Sequence, residues 1–105
     1  MVVYEADSIE AYEETKANSD RLIVVDYSAT WCGPCRFVAP KFEALSEQYP
    51  EAVFLHVDID ELAELDDIKD VSGVPTFKFF RNGELLERFS GANVAKIEMT
   101  LQKLY

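Results

Sequence analysis

Residues 25–36 read VDYSATWCGPCR and hold both cysteines and the only tryptophan of this 105-residue chain. They extend a continuous apolar run that starts at Leu22, and such a run predicts a strand buried on both faces, as in the centre of a parallel sheet. Cys32 stands where this strand meets a helix predicted from about Pro34 to Tyr49. A carboxyl group, Asp26, interrupts the apolar run. The stretch therefore places two thiols and an acid at a strand-to-helix junction.

Three kinds of site would use two cysteines separated by two residues. Structural zinc usually takes four Cys or His ligands, and besides the two cysteines the chain offers one histidine, His56. A static disulfide would close a loop so short that it removes little entropy from the unfolded chain. A reversible dithiol is favoured, because the free N–H groups and dipole at a helix start stabilise a thiolate. We expect Cys32 to be the attacking thiol and Cys35, one turn further on and more enclosed, to be the resolving thiol.

The rest of the chain predicts one α/β domain, residues 1–105, with the element order βαβαβαββα. Strands are expected at 2–5, 21–28, 53–57, 76–80 and 85–89, and helices at 8–18, 34–49, 61–68 and 93–104. Asn82-Gly83 tolerates the positive φ angles of a tight hairpin turn, so the last two strands should be antiparallel. We expect a central mixed five-stranded sheet flanked by four helices.

The composition argues against several classes of partner. Twenty acidic residues against ten basic ones give a formal net charge of −10, which repels nucleic acid and anionic membranes. No apolar run approaches the roughly 20 residues of a membrane-spanning helix. Residues 1–7 lack the features of a secretory signal, and two cysteines are too few for a disulfide scaffold. We expect a soluble protein of a reducing compartment that binds neither nucleic acid nor membranes.

The chain resembles the thioredoxin family over essentially its whole length. The resemblance rests on WCGPC at 31–35, Asp26 upstream, Val74-Pro75-Thr76 downstream and the Asn82-Gly83 hairpin. SAT at 28–30 and SGAN at 90–93 are closer to cytosolic eukaryotic members. The resemblance implies a thioredoxin fold and a monomeric, cytoplasmic protein-disulfide reductase. Pro34 between the cysteines, in place of a histidine, matches members that reduce disulfides.

The resemblance also implies how such a carrier is recycled and what it acts on. It would hold no bound cofactor besides the Cys32–Cys35 disulfide, and its electrons would come from NADPH through thioredoxin reductase. Its substrates would be disulfide-bearing proteins such as peroxiredoxins, methionine sulfoxide reductase and ribonucleotide reductase. A second class of function uses the same dithiol as a switch, in a binding module whose redox state gates one partner.

The family pattern assigns roles to residues around the cysteines. Asp26 would accept the proton of Cys35, and Pro75 would follow a cis peptide bond that presents the Val74 backbone to an extended substrate segment. A flat apolar docking surface would comprise eight residues: Trp31, Gly33, Pro34, Ile59, Gly73, Val74, Gly91 and Ala92. From the residues alone, Trp31 could equally belong to the core, and Pro75 could be an ordinary trans proline at a strand start.

The sequence leaves two alternative roles for each of two titratable residues, Asp26 and His56. Burial among apolar neighbours should raise the pKa of Asp26, although an aspartate at the end of a strand can also simply cap a backbone group. His56 lies on the strand expected beside Asp26 and shares a face with Phe54 and Asp58. It is either a modulator of Asp26 that shares its proton or a partly exposed histidine at a strand end.

Overall fold

The computed structural model describes residues 3–17 and 19–105. Its strands and helices in chain order are β1 Val3–Glu5, α1 Ile9–Ala17, β2 Ile23–Ser28, α2 Gly33–Gln48, β3 Val53–Asp58, β4 Thr76–Arg81, β5 Glu84–Ser90 and α3 Val94–Leu104. Val2 and Asn18, predicted to belong to the first strand and the first helix, lie outside the described residues. Except for the helix predicted at 61–68, the strand and helix bounds agree with the sequence-based expectation to within a few residues.

The five strands form one mixed sheet in the order β1-β3-β2-β4-β5. Strands β1, β3 and β2 are parallel, and β4 runs antiparallel to both β2 and β5. All six residues of β2 are buried, which confirms the central strand predicted from the continuous apolar run. One face packs against α2 and α3 through residues such as Phe42 and Ile97, and the other packs against α1 through Tyr12. The predicted α/β class with a mixed five-stranded sheet is confirmed.

The predicted helix at 61–68 is wrong. Within the described residues there are three α-helices rather than four, and this part of the chain forms turns that end in a short 3₁₀ helix, Asp66–Ile68. The carboxylate of Asp58 accepts the N–H groups of Asp60 and Glu61, and the Leu62 N–H donates to the Asp58 carbonyl, as at a helix start. The helix does not continue, because the Leu65 N–H donates to the Leu62 carbonyl only three residues back, which tightens the chain into 3₁₀-type turns. Apolar residues three apart fit the 3₁₀ period as well as the α period, so the pattern alone could not separate them.

The hairpin between β4 and β5 follows the prediction. Asn82 has φ of 54° and Gly83 has φ of 79°, so both central residues adopt the positive φ angles of a type I′ turn. Glycine carries no Cβ and asparagine tolerates the left-handed region, which explains this pair at the turn.

The segment that joins β3 to β4, residues 59–75, carries part of the predicted docking surface and is tied to the sheet by Lys78. The buried Lys78 ammonium donates to the Asp67 carbonyl at 2.7 Å and to Asp70 Oδ1 at 2.9 Å. Arg88 on β5 also pairs with the Asp70 carboxylate. The joining segment is thus held by two cations of the antiparallel hairpin.

Candidate active site

The cysteine pair lies at the N-terminus of α2. Cys32 is the N-cap residue, with an extended backbone, and its Sγ accepts the backbone N–H of Cys35 at 3.1 Å. The two residues are joined by a disulfide with a Cα–Cα distance of 5.3 Å. Pro34 is the second residue of the helix, where a missing N–H costs no helical hydrogen bond. The N-terminus of α2 therefore offers an N–H group and its dipole to the sulfur of Cys32.

The expected difference in enclosure between the two cysteines is not found in this disulfide form. Cys32 is 4% exposed and Cys35 is 3% exposed. What separates them is their surroundings, since Cys32 Sγ is the atom that receives the helix N–H and lies 3.6 Å from the Val74 carbonyl oxygen. Ile59 and Val74 pack against this pair. The joining segment therefore brings two of the predicted docking residues to the disulfide.

The remaining predicted docking residues lie mostly at the surface. Trp31 is 67% exposed, so it does not belong to the core, and its Nε1 donates to Asp60 Oδ2 at 3.0 Å. The residues Gly33, Pro34, Gly73 and Gly91 are exposed, and Ala92 is partly buried against the core below α3. A Cβ at Gly33 or at Gly73 would have no atom of this chain within 4 Å apart from those of its local chain neighbours. Steric crowding inside the chain therefore does not explain why either position is a glycine.

Pro75 is buried beside Val74, one of the predicted docking residues. The Val74–Pro75 peptide bond is cis, the geometry that the family resemblance implied. The Pro75 carbonyl accepts the N–H of Gly91 at 2.8 Å, which joins the start of β4 to the residue that follows β5. Gly91 has φ of 104°, a backbone conformation that residues with a side chain rarely adopt. This conformation explains why a glycine stands at this position.

Asp26 is a buried acid on the central strand. It is 1% exposed, and its Oδ1 has no hydrogen-bond partner among the described residues. Burial raises the pKa of Asp26 to about 7, while the nearby His56 lowers that pKa and the nearby Glu5 raises it. A carboxyl group with an unused acceptor atom and a near-neutral pKa can take up and release a proton at physiological pH.

His56 is placed directly beside Asp26. The parallel register of β2 and β3 pairs Asp26 with His56, and that of β1 and β3 pairs His56 with Glu5. His56 Nδ1 lies 2.8 Å and 3.0 Å from the two carboxylate oxygens of Glu5. Glu5 was not identified from the sequence, because its pairing with His56 depends on the register of β1 on β3.

Two neighbouring cavities lie beside Asp26 and beside Cys35. One of about 240 Å³ is lined by residues that include Glu5, Asp26 and His56, and a second of about 170 Å³ by residues that include Cys35 and His56. Ala39 and His56 line both cavities. His56 is therefore part of the wall between the space beside Asp26 and the space beside Cys35.

Two kinds of feature are absent from the parts of the chain that the structure describes. No group of three or more His, Cys, Asp or Glu side chains among residues 3–17 and 19–105 is arranged to hold a metal ion. Within the same residues, no helix has the length and apolar character needed to cross a bilayer.

Comparison with known proteins gives the same picture. The family model described as Thioredoxin matches residues 3–103. The thioredoxin of Callithrix jacchus is 45% identical over 103 residues, covering 97% of this chain and 98% of that protein. The human thioredoxin is 43% identical, covering 98% of this chain and 99% of that protein. The crystal structure of Fasciola hepatica thioredoxin superposes with a TM-score of 0.88 at 42% identity, covering 100% of both chains.

The mixed sheet with a disulfide capping α2 defines a thiol–disulfide oxidoreductase. The chain belongs to the thioredoxin family, because the family model spans almost all of it and full-length relatives exceed 40% identity. Its redox-active group is the Cys32–Cys35 pair, and it acts as a dithiol redox carrier.

Proposed function

We propose that the protein reduces disulfides of other proteins, with Cys32 as nucleophile and Cys35 as resolving thiol. The Cys32 thiolate attacks one sulfur of the substrate disulfide, a mixed disulfide forms, and a substrate thiolate leaves. Cys35 then loses its proton and attacks Cys32 Sγ, which releases the second substrate thiolate. Two electrons pass from the dithiol to the substrate, and the carrier ends as the Cys32–Cys35 disulfide. The observation that carries this proposal is the Cys35 N–H donated to Cys32 Sγ at the start of α2.

Asp26 accepts the proton that Cys35 must lose. The support is threefold: the acid is buried, one of its oxygens has no partner among the described residues, and burial raises its pKa to about 7. A base whose pKa is near the working pH is the most effective proton acceptor. The cavity beside Asp26 and the cavity beside Cys35 share His56 and Ala39 as lining residues, so the two spaces are neighbours.

Substrates dock on the eight apolar or backbone-exposing residues around Cys32 named above. An extended segment pairs with the Val74 backbone as a short added strand, and Pro75 holds that backbone toward the cysteines. The Val74 carbonyl, 3.6 Å from Cys32 Sγ, supports this placement. The exposed indole of Trp31 supplies apolar contact without demanding a particular substrate sequence.

The oxidised carrier is recycled by an NADPH-dependent thioredoxin reductase. Family membership supports this reductase and substrates of the classes named above, among them peroxiredoxins, methionine sulfoxide reductase and ribonucleotide reductase. The working compartment is the cytoplasm and the working form is a monomer.

Turnover of a protein disulfide tests the proposal directly. Insulin incubated with dithiothreitol should be reduced faster when this protein is added in catalytic amounts. A stable complex with one partner, formed in one redox state and without turnover, would instead favour the redox-gated binding module.

Serine substitutions separate the two cysteine roles. Cys32→Ser removes the nucleophile and should lower insulin reduction by more than about 1,000-fold. Cys35→Ser, the matched substitution one turn away, should accumulate the mixed disulfide, seen as a reducible covalent adduct on a gel. Adduct formation by Cys32→Ser instead of Cys35→Ser would reverse the assignment.

A further inference from the structure

Three titratable side chains form a row across three neighbouring strands. Glu5 on β1 lies opposite His56 on β3, and His56 lies opposite Asp26 on β2. Residues directly opposite each other on adjacent strands project from the same face, and adjacent strands lie about 4.8 Å apart. The side chain of Glu5 is 52% exposed and that of His56 is 29% exposed, whereas Asp26 is 1% exposed. The row therefore runs from solvent at the sheet edge to the buried acid at its centre.

The contact with Glu5 determines which nitrogen of the His56 ring carries the proton. Both Glu5 oxygens lie within 3.0 Å of Nδ1, and a carboxylate only accepts, so Nδ1 carries the proton in this hydrogen bond. Nε2 is then the ring nitrogen that can gain or lose a proton. Because the ring lines both cavities, it borders the space on the Asp26 side and the space on the Cys35 side.

Other charged groups face the same two cavities. Beyond the row itself, the titratable and charged residues that line them are Asp58 on β3, together with Cys35, Arg36 and Glu43 on α2. Of the carboxylates that line the cavities, the structure records a hydrogen bond to His56 for Glu5. Glu43 on α2 lines the same cavity as Glu5 on β1, so it provides a matched comparison for any effect of charge alone.

We propose that Glu5 positions His56 to carry the proton from Asp26 to solvent after each catalytic cycle. The inference rests on the proposed role of Asp26 as the acceptor of the Cys35 proton. The proton leaves the Asp26 carboxyl for His56 Nε2 across the cavity that both residues line. The resulting imidazolium is stabilised by the Glu5 carboxylate and gives a proton to water, which returns His56 to its neutral form. No electrons move in this step, and Asp26 is ready for the next substrate.

One stopped-flow experiment with two optical signals tests the proposed proton transfer from Asp26 through His56 to solvent, which we call the relay. The reduced protein is mixed with an aromatic disulfide whose leaving thiolate is coloured and stays ionised. The second coloured thiolate marks the attack by Cys35, and a pH-indicator dye marks arrival of the proton in solvent. In the wild-type protein the two signals should coincide. In His56→Gln, proton arrival should lag behind the second thiolate by roughly tenfold, less than the roughly 100-fold or greater effect of a direct general base.

Further variants make the result specific. Glu5→Gln should produce a lag of roughly threefold, because an amide oxygen still accepts the Nδ1 proton but does not balance the imidazolium charge. Glu43→Gln removes the same charge from the same cavity and should show no lag. His56→Ala should show the lag in a phosphate-free buffer and lose it when imidazole is added, because free imidazole can occupy the vacated space.

Coincident signals in His56→Gln, or equal lags in Glu5→Gln and Glu43→Gln, would overturn the relay. Equal slowing of both signals in His56→Gln would also overturn it, because His56 would then act on the attack by Cys35. Asp26→Asn tests the underlying proposal separately. If release of the second thiolate keeps its wild-type rate in that variant, Asp26 is not the proton acceptor, whatever the His56 variants show.

Discussion

Asp26 and Tyr27 are neighbours on β2 and both are buried, yet they face opposite sides of the sheet with opposite consequences. The Tyr27 hydroxyl bonds to that of Tyr12, and Tyr12 donates to Asp67, which also pairs with Lys16. The Asp26 Oδ1 has no partner among the described residues. A buried polar group that is fully bonded stabilises the fold, whereas one left without a partner destabilises it and remains available for chemistry.

The first test of this difference replaces the unpartnered acid by a neutral side chain, in Asp26→Asn, and the largest effect is expected here. In the unfolded chain an aspartate ionises near pH 3.9, whereas burial raises the pKa of Asp26 to about 7 in the fold. Between these pH values the folded state holds a proton that the unfolded state has lost, so stability falls as the pH rises through this window. Asp26→Asn has no carboxyl group to ionise, so its stability should not fall in this window. Near pH 8 its free energy of unfolding should exceed that of the wild type by about 4 kcal/mol, from roughly three pKa units at 1.36 kcal/mol each.

Urea unfolding at several pH values measures this difference. The two proteins should converge near pH 4, where the carboxyl is protonated in the fold and half protonated in the unfolded chain. A constant difference between pH 4 and pH 8 would show that folding does not raise the pKa of Asp26.

The second test weakens the satisfied side. Tyr12→Phe removes the hydroxyl that joins Tyr27 to Asp67, and it should lower the free energy of unfolding by about 1–3 kcal/mol. Insulin reduction should be unchanged, since this network lies on the face away from the cysteines. The double variant Tyr12→Phe/Tyr27→Phe leaves no orphaned tyrosine hydroxyl and should recover part of the loss. A fall in activity without a fall in stability would contradict the division between the two faces.

The smallest effect is expected at Asp70, whose half-exposed carboxylate pairs with the buried Lys78 and the partly exposed Arg88. Asp70→Asn weakens contacts to Lys78 and Arg88, and it should cost about 1 kcal/mol or less in thermal unfolding at low salt. The difference should shrink in high salt, because partly exposed pairs are screened. A loss that persists unchanged in high salt would mean that these contacts are not governed by screened charge.

Patterns carried by adjacent residues were predictable from the sequence, and contacts set by register were not. The apolar run before Asp26 predicts the buried central strand, and Asn82-Gly83 predicts the hairpin with its two positive φ angles. The Glu5–His56 contact needs the register of β1 on β3, which no short stretch of sequence contains. Leu62 and Leu65 are three residues apart, a spacing that is compatible with an α-helix. In the structure both are buried in a series of turns.

The same limit applies to the tyrosine network. Tyr12, Tyr27 and Asp67 come from three separate parts of the chain, and nothing local to any of them signals the others. The cysteine pair and its acid could be identified beforehand because their chemistry is concentrated in ten consecutive positions, 26–35.

The attachment of residues 59–75 to the sheet has a consequence for the speed and breadth of substrate selection. Lys78 fixes the Asp67 carbonyl and the Asp70 carboxylate, and Gly91 fixes the Pro75 carbonyl, so the backbone on either side of Val74 is already ordered. In the proposed docking mode, an arriving substrate segment meets an ordered backbone, and most of the entropy lost on docking is its own. Under that proposal, flexible or locally unfolded disulfide loops can be sampled rapidly, and selection depends on how easily the substrate strand can be extended.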